Sequence, residues 1–479
     1  MIISLVATVF SQNAFQGYTI FSPAAGGPGG QGNGNTYLVN NQMNVINVWN
    51  HNRGPASMAY LRTDSTIYYP FRVENPTMSA GGVGGGVAIL DWDSNVLWSY
   101  LISNNQYQHH HDIYPLPNGN VLVIAWERKT ASEAYALGRQ TISNPLNEMW
   151  SEAVLELEPV GTNDANIVWE WHLWDHLIQD FDSTLPNYGV IADHPELMDI
   201  NAGSVGGSHG PGGSHADWMH FNAIDYNEEL DQIVLSSRTM GEIYIIDHST
   251  TTAEAASDSG GTYGKGGNFL YRWGNPEVYD RGTGADQLLN AQHGVNWIPS
   301  NYPGGGNLIL YNNNYQNNNS AVFELVTPID STGNYTLIEN EAYGPSGPVW
   351  YHTGGFHSNV QSGAFRLPNG NTFITEAEDA HMFEVTPDHS LVWNYTYPGN
   401  NIMIARAQKY ELTYLETEFP EYTPGDVNFD GDINVIDLSH AIDMIYNVGY
   451  NATPPADVNG DGTVTMVDVA ILAQMAMNQ

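Results

Sequence analysis

Short alternating runs of apolar and polar residues recur along most of the chain, in pairs joined by turns rich in Asn, Asp, Gly or Pro. The second run of a pair typically ends on an aromatic residue, and such turns between β-branched and aromatic runs are typical of β-hairpins. The pattern occurs at residues 36–49, 87–100, 154–171, 243–273, 322–339 and 382–395. Companion strands precede three of these units, at residues 116–126, 298–313 and 367–377. The pattern therefore predicts an all-β fold for most of the chain.

The number and spacing of the units predict the architecture. They are spread over about 400 residues, which gives about 67 residues per unit, the size of a four-stranded blade with long loops. We therefore predict a six-bladed β-propeller over residues 17–415. Long inserts rich in Gly and His between residues 172 and 220 would lie on one face, where sites are built. A β-sandwich array and a β-helix are the alternative interpretations of the repeat.

The composition changes after the last unit. Residues 416–424 are predicted to form a linker, and the segment 425–479 carries two copies of one motif. DVNFDGDINVID at 426–437 and DVNGDGTVTMVD at 457–468 are each followed by a short apolar run with helical spacing. We expect a small α-helical domain there, in which Leu438, Ile442, Val469 and Leu472 make the contact between the helices.

Both copies have the ligand spacing of an EF-hand calcium loop, with Gly at the sixth position and Asp at the twelfth. Hard oxygen ligands suit Ca²⁺, and without a cation the carboxylates would repel one another. Two acidic Asx turns that bind no metal are the alternative interpretation. The expected ligands are Asp426, Asn428, Asp430, Asp437 and the Asp432 carbonyl in the first loop, and Asp457, Asn459, Asp461, Asp468 and the Thr463 carbonyl in the second.

The duplicated arrangement of loop and helix resembles a type I dockerin. The resemblance lies in the Asp at position twelve, where many EF-hands have Glu, and in the spacing of about 31 residues between the copies. It covers residues 425–479. The resemblance implies docking to a cohesin-like protein or to another extracellular scaffold partner.

Charge and cysteine content exclude several classes of protein. The 52 Asp and Glu outnumber the 13 Lys and Arg, for a net charge of −39. No basic face can follow a phosphate backbone, so nucleic-acid binding is not expected. The absence of Cys excludes disulfides, thiolate catalysis and Cys-ligated zinc or iron–sulfur sites.

The apolar run from Ile2 to Phe10 is too short to span a bilayer and resembles the apolar region of a secretory signal peptide. We interpret residues 1–12 as the remnant of a signal peptide, although no Lys or Arg precedes the run; a buried first strand is the alternative. We expect an exported protein, extracellular or at the cell surface and less readily periplasmic. No other segment is predicted to span a membrane.

Histidines are frequent, with 17 in the chain, and they cluster at four places. Each cluster lies just before, or at the start of, a predicted blade strand, and these positions converge on the mouth of a propeller channel. Several imidazoles with Arg238, and without a clear carboxylate pair, indicate handling of an oxyanion rather than a glycoside. Because an anion is repelled at long range by this protein, binding one requires local donors such as Arg238, His220 and Asn222. The clusters are at residues 108–120, 215–238, 290–313 and 352–371.

Four segments resemble the arylsulfate sulfotransferase family, and one of them, FRLPNGNTFITEAEDAHMFEVTP, matches its last blade. In DWMHFNAIDYNEELDQIVLSSR, Asn222 follows His220 by two residues and Arg238 follows it by eighteen. QHGVNWIPSNYPGGGNLILYNNN carries His293 where the family has its nucleophile, and HHDIYPLPNGNVLVIAW matches another His-bearing blade start. The resemblance covers roughly residues 17–415 and implies a six-bladed propeller, in agreement with the repeat.

The resemblance also implies roles for single residues. His293 would attack the sulfur of an aryl sulfate and form N-sulfohistidine, and a phenol would then accept the sulfuryl group. Arg238, His220 and Asn222 would hold the sulfuryl oxygens. His111 or His110 would complete this clamp or protonate the leaving phenolate, and the sequence does not distinguish the two.

Three other functions remain as alternatives. The propeller could be a non-catalytic structural or adhesive module that binds sulfated or aromatic ligands. It could act on a polysaccharide, although no carboxylate pair is indicated. The histidine-rich face could bind a metal, although its His residues lack a fixed ligand spacing.

Overall fold

The computed structural model describes residues 14–25, 34–208, 213–316, 319–415, 425, 427, 432–446, 456–459 and 464–477. These residues form six four-stranded antiparallel sheets arranged as the blades of a propeller, followed by a helical region. The predicted all-β fold with a small helical domain is confirmed. The proposed signal segment 1–12 and linker 416–424 lie outside the described residues.

The strands follow in chain order. The first blade contains β1 (Gly17–Ala25), β2 (Gly34–Val39) and β3 (Val45–His51), and the second contains β4 (Tyr60–Leu61), β5 (Ile67–Arg72), β6 (Gly85–Leu90) and β7 (Val96–Leu101). The third contains β8 (Tyr107–Pro115), β9 (Val121–Thr130), β10 (Glu148–Val160) and β11 (Asp164–His172). In the insert that follows, β12 (Leu177–Ile178) and β13 (Met198–Asp199) pair in parallel.

The fourth blade contains β14 (Phe221–Asn227), β15 (Gln232–Ser237), β16 (Glu242–Asp247) and β17 (Tyr271–Trp273). The fifth contains β18 (His293–Trp297), β19 (Leu308–Gln316), β20 (Asn319–Leu325) and β21 (Trp350–Thr353), and the sixth contains β22 (Gly363–Arg366), β23 (Thr372–Glu376), β24 (His381–Val385) and β25 (Leu391–Thr396). The last strand, β26 (Ile402–Glu411), returns to the first blade. The helices are α1 (Ala131–Ala136), α2 (Thr252–Ala255), α3 (Val435–Tyr446) and α4 (Met466–Ala476).

The ring is closed by the pairing of β26 with β1. The two strands are antiparallel, with Gly17 opposite Glu411 and Tyr18 opposite Tyr410. The first blade is therefore assembled from both ends of the propeller segment. Strand β26 takes the inner position that β4, β8, β14, β18 and β22 hold in the other blades.

Each interface between neighbouring blades has its own apolar core. Successive side chains of a strand point to opposite faces of its sheet, so one strand contributes to two cores. In β15, Ile233 and Leu235 pack against the third blade, while Val234 packs against the fifth. Middle strands such as β9 and β15 are therefore buried on both faces, whereas outer strands such as β7 and β11 are largely exposed.

The prediction of the second strand in one hairpin is wrong. The unit at 322–339 has its first strand in β20, but the fourth strand of this blade is β21, at Trp350–Thr353. Residues 326–349 instead cross to the fourth blade. There Tyr335 stacks on Tyr271 at 4.9 Å between ring centroids, and its hydroxyl donates to Gln232 Oε1. Packing against the neighbouring blade therefore determined the path of this segment, and its alternating pattern did not.

The helical region has a small apolar core of its own, in which Ile433, Val469 and Leu472 are buried. Val464 and Leu438 pack against this core as partly buried residues. We expected Ile442 there as well, but it is 38% exposed. The buried face of α3 instead runs through Leu438, Ala441 and Ile445, at a spacing of three and then four residues.

A buried ion pair crosses the channel at its centre. Arg406 of β26 donates to Asp112 of β8, with 2.6 Å between Nη2 and Oδ1, and the same nitrogen lies 2.9 Å from the Tyr60 hydroxyl. Burial opposes the charge on Arg406, but Asp112 and Tyr60 raise the pKa of the guanidinium above its ordinary value. The pair joins the closing strand to the third blade.

We expect Arg406→Met to destabilise the propeller by about 3–5 kcal/mol, because it leaves the Asp112 carboxylate buried without its cation. Asp112→Asn combined with Arg406→Met removes both charges and should recover a large part of that loss. Thermal melts of the two variants test this. Glu148→Gln, which breaks the partly exposed pair of Arg128 and Glu148, is the control and should change stability by no more than about 1 kcal/mol. Equal stability of Arg406→Met and the parent would contradict the expectation.

Candidate active site at the channel mouth

Three predicted histidines meet where the inner strands begin. His111 lies in β8, His220 precedes β14, and His293 is the first residue of β18. The ring centroids of His111 and His220 are 4.6 Å apart, and those of His111 and His293 are 6.4 Å apart. The propeller therefore gathers residues that lie far apart in sequence.

The backbone is irregular at all three positions. The strand register shifts between His109 and Ile113, between Phe221 and Ala223, and between His293 and Asn296. His111 and His220 have positive φ angles, of 51° and 54°. Bulges and left-handed residues re-aim side chains and are concentrated at functional sites.

A glycine makes room for one of the rings. Gly82 has a φ of 77°, and a Cβ on it would lie 2.0 Å from His111 Nε2. Its carbonyl also accepts a hydrogen bond from the His111 amide at 2.7 Å. The position therefore requires glycine for both backbone conformation and space.

His293 is neutral and its tautomer is fixed. Nδ1 lies 2.8 Å from Asn313 Oδ1 and 2.9 Å from the Ala291 carbonyl. The Asn313 amide nitrogen donates to two backbone carbonyls, of Ser358 and Gln361, so its oxygen must face the ring. Nδ1 therefore carries the proton and Nε2 carries the lone pair. Burial, with Arg238 nearby, lowers the pKa of His293 to about 3.

Arg238 is the cation beside these rings. It is half-buried, and burial lowers its pKa, while Asp217 raises it. Within the described ranges its guanidinium makes no hydrogen bond or ion pair, and its backbone amide donates to the His220 carbonyl. A cation without a carboxylate partner among the described residues, close to the neutral imidazole of His293, is suited to binding an anion.

His220 and Asn222 have different surroundings. His220 Nδ1 donates to Asp217 Oδ2 at 2.5 Å. Burial alone would raise the pKa of Asp217. The charge and hydrogen bond of His220 have the larger effect, so the pKa of Asp217 lies below the ordinary value of an aspartate. The Asn222 amide nitrogen donates to the Gln292 carbonyl at 2.7 Å, and its oxygen is buried without a partner in the part of the chain that is described.

A chain of buried groups leads away from His111. His111 Nδ1 lies 2.9 Å from His110 Nδ1, and His110 Nε2 lies 2.9 Å from Glu152 Oε2. Burial raises the pKa of Glu152 well above its ordinary value and lowers the pKa of His110 to about 3. His110 stacks on Trp126 with ring centroids 4.2 Å apart. The structure thus places His111 at the site and His110 behind it.

The sequence did not single out Asn313, Asp217, Glu152 or Arg406. Asn313 and Glu152 are polar residues inside largely buried strands, and Asp217 comes three residues before His220. A buried polar residue within an apolar run is a usable signal, because such a residue needs a partner. The identity of that partner depends on tertiary contacts.

Calcium ligands can be compared in the described parts of the two predicted loops. The buried carboxylates of Asp437 and Asp468 take equivalent contacts: Asp437 accepts from the amides of Val427 and Asn434, and Asp468 accepts from those of Val458 and Thr465. Each thus ties the start of its loop to the start of the following helix. With Asp432, Asp457 and Asn459, this donor set consists of hard oxygens and fits Ca²⁺. The other predicted ligands, Asp426, Asn428, Asp430, Asp461 and Thr463, lie outside the described residues.

Two negative findings apply to the described ranges. They contain no group of three or more His, Asp or Glu residues placed to hold a metal ion. They also contain no helix long and apolar enough to cross a membrane.

The solved structures that match this chain are only distantly similar to it. A protein of unknown function from Bacteroides caccae is 10% identical, with a TM-score of 0.42, and covers 82% of this chain and 98% of its own. A putative 6-phosphogluconolactonase from Bacteroides fragilis is 10% identical, with a TM-score of 0.36, over 84% of this chain and 99% of its own. Virginiamycin B lyase from Staphylococcus aureus is 9% identical, with a TM-score of 0.35, over 82% of this chain and 88% of its own. Similarity at this level supports no inference about activity.

Comparison with protein families is decisive. No curated protein matches the chain. The sequence model of the family described as arylsulfotransferase (ASST) matches residues 84–379, from the second blade into the sixth, which is more than half of the chain. The type I dockerin model matches residues 424–475, where the duplicated loops lie. The chain therefore belongs to the arylsulfotransferase family and carries a type I dockerin domain after its propeller.

Proposed function

We propose that the propeller transfers a sulfuryl group from an aryl sulfate to a phenol through a covalent intermediate on His293. The observation that carries this proposal is a neutral, buried imidazole whose Nδ1–H is held by Asn313, close to the guanidinium of Arg238, which has no hydrogen-bond or ion-pair partner among the described residues. Membership of the arylsulfotransferase family supports the same class of reaction.

The transfer takes place in two displacements. In the first, the Nε2 lone pair of His293 attacks the sulfur, a nitrogen–sulfur bond forms, and the sulfur–oxygen bond to the aryl group breaks. The leaving phenolate takes the Nε2 proton of His111. At the same time His111 Nδ1 takes the proton of His110 Nδ1 and His110 Nε2 takes the proton of Glu152, which becomes a carboxylate. In the second displacement, the oxygen of the acceptor phenol attacks the sulfur and the nitrogen–sulfur bond breaks. The phenol proton passes to His111 Nε2, and the relay runs back until Glu152 is protonated again. His293 is then neutral again, and no nucleotide sulfate donor is needed.

Arg238 supplies the positive charge that the substrate requires. The sulfuryl oxygens are anionic before and after transfer, and the protein carries a net charge of −39. A guanidinium can offer two parallel donors to such a group. His220, oriented by Asp217, would present its Nε2 side to the same group, and Asn222 would border it.

The buried chain behind His111 supports its role as the acid. With Glu152 protonated, its hydroxyl donates to His110 Nε2, and His110 Nδ1–H then donates to His111 Nδ1. This leaves the proton of His111 on Nε2. The raised pKa of Glu152 and the lowered pKa values of both histidines favour this neutral arrangement.

One observation favours a second candidate, a non-catalytic structural or adhesive propeller. The cavity that borders His111 and His293 measures only about 10 Å³, the space of about one water molecule. In the enzymatic proposal the sulfuryl group lies outside this space, beside Arg238, which does not line the cavity. Trapping of the covalent intermediate distinguishes the two.

The dockerin domain would attach the propeller to a cohesin-type scaffold partner. Dockerin domains of this type generally bind calcium, and we assign one structural Ca²⁺ to each loop. Dockerin and arylsulfotransferase domains are typical of secreted proteins, and we propose an extracellular or cell-surface location.

Intact-mass analysis of the protein mixed with 4-nitrophenyl sulfate should show a gain of about 80 Da, the mass of one sulfuryl group held covalently. His293→Ala should abolish this gain and lower turnover by more than about 10³-fold. His352→Ala, a change in a histidine outside the site, is the matched control. A gain in mass that persists in His293→Ala would identify a different nucleophile, and no gain in the parent protein would favour the non-catalytic propeller.

Arg238→Lys should lower kcat by about 10²–10³-fold, because an ammonium cannot reproduce two parallel, preorganised donors. Steady-state kinetics with 4-nitrophenyl sulfate and a phenol acceptor measure this. Arg128→Lys, in the partly exposed pair with Glu148, should leave the rate unchanged. Unchanged kcat/KM in Arg238→Lys would place Arg238 outside the site.

Calcium should protect the segment 425–479 from proteolysis in the full-length protein, because binding energy becomes folding energy in small metal-dependent modules. EDTA should expose this segment and leave the propeller intact. Asp437→Ala with Asp468→Ala should abolish calorimetric calcium binding, whereas Asp330→Ala, in an exposed propeller turn, should not. A protease-resistant tail in EDTA would contradict the assignment.

A further inference from the structure

A second, much larger cavity lies at the opposite end of the channel. Its volume is about 770 Å³, within the range of about 300–1,000 Å³ typical of small-molecule sites. The histidine site lies where the inner strands begin, whereas this cavity is lined where they end, at Pro115, Asn227, Ile298 and Glu411. We call it the distal chamber.

The central ion pair separates the distal chamber from the histidine site. Arg406 borders both cavities, and it is held by Asp112 and the Tyr60 hydroxyl. A ligand in the distal chamber therefore lies on the other side of this barrier from His293. The chamber plays no part in the sulfuryl transfer proposed above.

The walls of the distal chamber are largely aromatic. Tyr60 and Tyr114 have ring centroids 6.2 Å apart, Tyr114 and Tyr226 are 6.1 Å apart, and Tyr410 and Tyr414 are 4.4 Å apart. The hydroxyls of Tyr60, Tyr226 and Tyr414 are already used in hydrogen bonds to Asp112, Asp231 and the Leu61 carbonyl. These tyrosines therefore present their ring faces to a ligand rather than free hydroxyl groups.

The charges of the chamber do not favour an anion. Three of its four cations are paired within the protein, Arg366 with Glu324, Arg406 with Asp112 and Lys409 with Glu384. At the mouth, Glu228 and Glu229 are exposed and add negative charge.

Polar groups remain for a neutral ligand. Arg62 is half-buried and donates to the Pro115 carbonyl at 3.3 Å; it makes no ion pair with any described residue. The amide nitrogens of Asn227 and Gln408 also line the chamber, whereas their oxygens already accept from the Leu230 amide and the Tyr410 hydroxyl. The remaining cation, Arg62, would disfavour a cationic ligand. The lining thus combines ring faces with both donors and acceptors.

We propose that the distal chamber binds a neutral carbohydrate of about two sugar units. The apolar face of a sugar ring packs on a tyrosine ring, and its hydroxyls bond to Arg62 and to the amides of the wall. A sugar therefore complements a wall of ring faces and scattered polar groups. Because it is neutral, it needs no opposite charge from the protein.

Isothermal titration of the full-length protein with cellobiose, maltose and lactose tests the proposal. At least one of these disaccharides should bind. Tyr226→Ala and Arg62→Ala should each weaken binding by about tenfold, through loss of ring contact and of a donor. Tyr188→Ala, an exposed tyrosine outside the chamber, should bind as the parent does, and melting temperatures identify any variant that fails to fold.

The experiment separates this inference from the catalytic proposal. His293→Ala should bind the disaccharide with unchanged affinity, whether or not the parent protein transfers sulfuryl groups. The proposal is overturned if none of the three sugars binds, or if folded Tyr226→Ala and Arg62→Ala both bind as the parent does. Binding of phenol or tetramethylammonium in the chamber without any sugar would also overturn it, by assigning the chamber to another class of ligand.

Discussion

Closure of the propeller ring is the constraint on which the rest of the structure depends. The inner strand of the first blade comes from the end of the propeller segment, and its pairing with β1 completes the circle. Only in a closed ring do six inner strands start at one end of a channel and finish at the other. The ion pair of Arg406 and Asp112 is a consequence of that closure, because β26 and β8 belong to blades that are far apart in sequence.

Closure of the ring buries the histidines away from water, and burial keeps their imidazoles neutral. An exposed imidazole is partly protonated near neutral pH, whereas burial lowers the pKa values of His109, His110 and His293 to about 3. A neutral imidazole can act as a nucleophile. Anionic carboxylates close to it would favour its protonated form, but the many carboxylates of this chain do not have that effect here. The nearby carboxyls are either tied to a histidine, as Asp217 is, or disfavoured as anions by burial, as Glu152 is.

The two ends of the channel differ in chemistry for a structural reason. At the start of the inner strands, bulges and left-handed residues turn polar side chains inward around a space of about 10 Å³. At the end of the same strands, tyrosines from several blades surround about 770 Å³. Buried imidazoles beside a guanidinium suit the binding of a compact anionic group, and a large aromatic space suits the binding of a ring. The barrier at Arg406 keeps the two apart.

The sequence by itself determined the repeat, the blade count and the paired loops of the dockerin. These are local patterns, in which turn residues, alternation and ligand spacing are all present within a few tens of residues. Resemblance to the arylsulfotransferases also indicated His293, His220 and Arg238 as candidate site residues. Only the tertiary structure decided which strand closes the ring, where residues 326–349 run, that Ala441 rather than Ile442 faces the helical core, and that His111 lies in front of His110. It also supplied Asn313, Asp217 and Glu152, because a buried polar group acquires its partner from another strand or blade, at a distance in sequence over which local patterns carry no information.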